Sequence, residues 1–95
     1  MENGIIKCNK EKGKLFVLRE TTYSLNIRST PNPSNKENII GVLNTNKHPI
    51  LIHSGDICRR ADGSMWIHVT SYDTIGVDTN KRSGWINSHY VRKID

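Results

Sequence analysis

Leu25-Asn26-Ile27-Arg28-Ser29-Thr30-Pro31 is the stretch on which the reading of this chain turns. Leu25 and Ile27 alternate with Asn26 and Arg28, the period-two pattern of a half-buried strand. Ser29, Thr30 and Pro31 then stop it, since Pro31 has no N–H to give to a ladder. Period two turns Leu25 and Ile27 inward and leaves Arg28 at the rim. Upstream, Tyr23 falls on the same face as Leu25 and Ile27.

Working outward, the N-terminal side reads as a hairpin. Ile5 to Cys8 is a short apolar run, Asn9 to Gly13 a polar turn, and Lys14 to Arg19 a β-favouring run. On the C-terminal side, Pro31 to Asn38 is a loop by composition. Ile39 to Leu43 is a strand in which Gly41 marks a bulge or a close backbone approach. Pro49 to His53 and Ile57 to Arg60 are strand segments separated by a bulge at Ser54-Gly55-Asp56. Ala61-Asp62-Gly63-Ser64 is a hairpin turn. Met65 to Thr70 alternates, with Met65, Ile67 and Val69 on one face and Trp66, His68 and Thr70 on the other. Ser71 to Arg82 reads as a long connection. Ser83 to Ile86 is a further strand, with Trp85 facing away from Gly84 and Ile86. Asn87 to Tyr90 is one 3₁₀ turn, and Val91 to Ile94 a terminal strand. No stretch has the period of an amphipathic helix. Short strands with turn signals between them predict an all-β barrel or sandwich.

Ninety-five residues make one domain. No apolar run approaches the roughly 20 residues that span a bilayer, and the first residues lack the form of a signal peptide, so the expectation is a cytoplasmic protein with no membrane partner. The net charge is +5 and favours anionic partners. The basic residues are scattered, with short pairs at Arg59-Arg60, Lys81-Arg82 and Arg92-Lys93, so a solvated surface is the plainer reading and nucleic acid is not an expected partner. A single disulfide between Cys8 and Cys58 is possible, but with no export signal reduced thiols are expected. The four histidines show no metal spacing, and no metal or cofactor is expected.

Three pieces together resemble a bacterial SH3-type (SH3b) domain: Leu25 to Pro31, Ile40 to Leu43, and Gly84-Trp85-Ile86 followed by Ser88 to Val91. Trp66 to Val69 falls where that family has its central Trp-containing strand. The chain departs from the family at Thr30, where a glycine is common. The resemblance covers about Tyr23 to Ile94. It implies a small SH3-like barrel over residues 23–95, carrying residues 1–22 as an N-terminal hairpin extension.

No nucleophile elbow, phosphate loop or His-Glu-x-x-His motif occurs, so no enzyme is expected. Binding is the alternative chemistry. Trp66 and Trp85, with Tyr72 and Tyr90 nearby, either plug the barrel or line a groove for short peptides, sugars or bases. Arg28, Arg59, Arg60 and Arg82 would add carboxylate or phosphate recognition. The resemblance implies a module that holds a short peptide or a peptidoglycan fragment. The other expectation is a stand-alone intracellular binder of the kind encoded by phages, one that sequesters an anionic small molecule such as a nucleotide or inhibits a host protein. A homo-oligomer would serve it, with sites between subunits.

Overall fold

The computed structural model describes residues 4–75 and 81–94. Seven strands carry the fold: β1 (Ile5–Leu18), β2 (Ser24–Arg28), β3 (Ile39–Asn44), β4 (Ile50–Arg60), β5 (Met65–Tyr72), β6 (Lys81–Asn87) and β7 (Val91–Ile94). Three single 3₁₀ turns, Lys36–Asn38, Thr45–Lys47 and Ser88–Tyr90, are the only helical pieces among the described residues. The strands form one antiparallel sheet in the order β3-β2-β6-β5-β4-β1-β7. The all-β expectation therefore holds.

One core serves the whole sheet. Leu18, Leu25, Ile27, Leu43, Leu51, Ile67, Val69, Ile86 and Val91 form a single buried cluster to which every strand contributes. A sheet can bury one face against itself only by coiling, which the right-handed strand twist favours. Leu25 and Ile27 point inward as their alternation predicts, and Ile27 is fully buried. Tyr23 does not join them: it precedes β2 and is 77% exposed.

The coil does not close into a barrel. β3 and β7 are the two ends of the sheet and do not pair. β3 lies at one edge of the sheet, beside β2. Thr45 N–H donates to Tyr23 O, so with the alternation of an antiparallel ladder Val42, opposite Asn26, turns its backbone groups away from β2. The Val42 carbonyl accepts instead from Arg82 Nη1 at 3.0 Å. A guanidinium reaching over from β6 thus takes the place of a ladder bond.

The expected N-terminal hairpin is also corrected. β1 runs straight through Asn9 to Gly13, pairing Asn9 with Ile57, Lys10 with Asp56, Glu11 with Gly55 and Lys12 with Ser54. Gly13, with φ of +90°, sits at a register slip between Lys12 and Leu15. A glycine that reads as a turn is here a bulge, the other structure that its backbone freedom serves. β1 pairs with β4 from Ile5 to Phe16 and with β7 from Leu15 to Leu18.

The two cysteines meet across these strands. Cys8 lies opposite Cys58 with Cα atoms 4.0 Å apart, and a disulfide joins them, which overturns the expectation of reduced thiols. Fifty residues separate them in sequence, and only the β1–β4 register brings them together.

Several local readings stand. The register between β4 and β5 shifts between His53 and Ile57, the predicted bulge. Residues 61–64 form the β4–β5 turn, with Gly63 at φ +89° and Asp62 Oδ1 accepting from Ser64 N and Oγ. Those bonds hold the Asp62 carboxyl below its ordinary range. Gly84 is where β6 meets β2: a Cβ there would stand 2.7 Å from Arg28 O and 2.8 Å from Ile27 Cγ1. The predicted connection after Ser71 is shorter than expected, because β5 extends to Tyr72 and β6 begins at Lys81. Its segment 76–80 lies outside the described residues.

Candidate functional site

The face of β2, β6 and β5 turned away from the core carries a cleft. Cross-strand partners share a face, so Arg28, Trp85 and His68 form one row, and Asn87, Trp66 and Cys58 the next. The loop between β2 and β3 folds over this face. Arg60, on the same side of β4, donates from Nη1 to Pro31 O at 2.9 Å and holds the loop down. Between loop and sheet lies a cleft of about 410 Å³. Ser24, Leu25, Asn26 and Arg28 of β2, Pro33 of the loop, Trp66, Asn87 and Tyr90 line it.

Asn38 organises the loop. It is buried, and its Nδ2 is placed to donate to Thr30 O, Thr30 Oγ1 and Asn32 O, while its Oδ1 accepts from Arg28 Nη1 at 2.8 Å. Arg28 Nη1 also donates to Asn35 O. A buried amide satisfied on both ends fixes a loop that has no ladder of its own. Burial pulls the affinity of the Arg28 guanidinium for its proton below the ordinary arginine value. It nonetheless remains charged at neutral pH, since arginine titrates far above it.

Three of the eight residues expected to bind are gathered in this cleft: Trp66, Tyr90 and Arg28. Trp66 is 3% exposed, with Nε1 donating to Ser64 Oγ, so it forms part of the wall and offers little free ring. Tyr90 is 42% exposed, and His89 meets its ring edge-on. Its place comes from the 3₁₀ turn Ser88–Tyr90, which Asn87 caps by accepting from His89 N–H.

The other five lie elsewhere. Trp85 is half-buried on the same face but packs edge-on against His68, ring centroids 5.3 Å apart. Tyr72 lies six residues along β5 from Trp66, about 20 Å at strand rise, with Lys81 over its ring. Arg60 and Arg82 bond backbone carbonyls, one holding the loop and the other the β3 edge. Arg59 faces the opposite side of the sheet. The sequence alone does not single out Pro33, Asn38 or Asn87. In a turn-rich chain a proline or asparagine signals a loop, and nothing in its type says what that loop covers.

Among the described residues no three or more of His, Cys, Asp and Glu converge as a metal site, and no helix is long and apolar enough to cross a membrane. Compared with protein-family models, with curated proteins and with solved structures, the chain matches none.

Proposed function

We propose that this protein is a non-catalytic binding module of SH3-like type, and that it holds a short peptide in the cleft between the β2–β3 loop and the 3₁₀ turn Ser88–Tyr90. The observation that carries the reading is the cleft's composition: an exposed Tyr90 ring, the Pro33 ring, the polar edges of Ser24, Asn26 and Asn87, and one cation, Arg28. Rigid rings give contact area at small entropic cost, and the amide and hydroxyl groups suit a peptide backbone. One arginine already spending Nη1 on its own loop favours a carboxylate-bearing peptide over a polyanion. A bacterial wall stem peptide has this chemistry. The Cys8–Cys58 disulfide supports an oxidising setting such as a cell surface over the cytoplasm.

Retention on purified peptidoglycan tests this. The wild type is expected to sediment with walls, and Tyr90→Ser to lose most of that retention without a change in melting temperature. A protein that stays in the supernatant, or a Tyr90→Ser variant that binds as well as its parent, would sink the reading.

A further inference from the structure

The core face of the sheet carries a second site, at the end of β1 and β4. Lys7 pairs with Arg59, and Arg59 with Met65 of β5, so the three side chains form one row. The neighbouring row is Asn9, Ile57 and Ile67, whose last member belongs to the core. Lys7, Asn9, Ile57, Arg59 and Met65 line an open pocket of about 220 Å³. Like charges placed directly opposite on neighbouring strands repel. Among the described residues no carboxylate relieves this pair: the acidic partners go to Lys10, Arg60 and Arg92. The Cys8–Cys58 bridge is the adjacent pair in the ladder, so a covalent bond holds Lys7 and Arg59 side by side against their repulsion.

We propose that this pocket binds a phosphate-bearing small molecule, with Lys7 and Arg59 on the phosphate and the organic part lying on Ile57 and Met65. An ammonium and a planar guanidinium fork suit phosphate oxygens together. Asn9 supplies a neutral donor at the rim, and the polarisable Met65 sulfur suits a flat ring. The site lies on the opposite face of the sheet from the peptide cleft and does not depend on it.

Calorimetric titration of the oxidised protein with inorganic pyrophosphate and with a nucleoside diphosphate tests the assignment. Both are expected to bind, the nucleotide more tightly, and both more weakly as salt rises. Lys7→Gln or Arg59→Gln should each weaken the nucleotide by about tenfold, the scale of one charge-assisted contact. Without ligand, each should leave the melting temperature unchanged or raise it, because the repulsion is relieved. Reduction of the disulfide should weaken binding in protein that circular dichroism shows still folded. Absence of binding by both probes, or a Lys7→Gln/Arg59→Gln double variant that binds like the parent, would overturn the site. Equal affinity for the two probes would overturn the role of Ile57 and Met65.

Discussion

Around Ile27 and Gly84 the chain is held by burial, whereas along Cys8 to Lys12 it is held by a backbone ladder and one covalent bond. In the first region β6 crosses β2 so closely that a methyl group would collide with Arg28 O, and Ile27 has no exposed surface. In the second, Ile6 is 59% exposed, and the Lys10–Asp56 pair lies at the surface, with Lys10 90% and Asp56 44% exposed, where such pairs contribute little. The contrast shows how a small sheet can extend a strand past its core. Once no side chains are left to bury, a link that restricts the unfolded chain can do what packing no longer does.

The largest expected effect falls on the packed region. Ile27→Ala should cost about 2–5 kcal/mol, since the site sits in the middle of the core and cannot collapse freely. Chemical denaturation should show it as a lower midpoint for the whole molecule. A loss confined to a few local amides would mean that the core is not one unit.

Removing the bridge by Cys8→Ser with Cys58→Ser should cost roughly 2–4 kcal/mol, because the bond closes a long loop. Here hydrogen exchange is the sharper probe. Amides of Cys8 to Lys12 should lose protection before those of β5 and β6, and simultaneous loss would erase the distinction between the two regions.

Gly84→Val should cost about 1–3 kcal/mol by overpacking, and Gly84→Ala less with the same sign. A Gly84→Val variant that melts with its parent would contradict the close approach of β6 to β2.

The smallest effect concerns His68. Burial, helped by repulsion from His53, holds its proton affinity below the ordinary histidine value, and the Asp56 carboxylate opposes them only in part. The unfolded chain then binds this proton more readily than the folded one. Stability is therefore full above the ordinary histidine range and falls as the pH drops from there toward the depressed folded value. Melting temperatures of wild type and His68→Gln, compared from neutral to mildly acidic pH, should diverge in that sense. Parallel curves would count against it.

The strands were legible where side-chain alternation met a one-sided environment. Leu25 and Ile27 read correctly because one face of β2 is buried and the other is not. Gly63 and the 3₁₀ turn at Ser88 read correctly because local backbone chemistry decides them. The N-terminal strand misread because a polar run containing glycine has the same local signature as a turn, and only the presence of β4 alongside makes it a ladder. The candidate site was visible in part. Trp66, Tyr90 and Arg28 meet in the cleft, but Arg60 and Arg82, equal to Arg28 by type, are not among its lining residues and bond the Pro31 and Val42 carbonyls.

By itself, the order of residues determined that this protein is built of β-strands separated by turns, and which face of the central ones is apolar. Those properties follow from steric preferences and hydrophobic alternation within a few residues. Only the tertiary structure decided that the sheet coils without closing, that two cysteines fifty positions apart are joined, and that Arg60 and Arg82 bond distant backbone carbonyls. Each of these depends on the register between strands distant in sequence, and no local pattern along the chain encodes where a partner strand will lie.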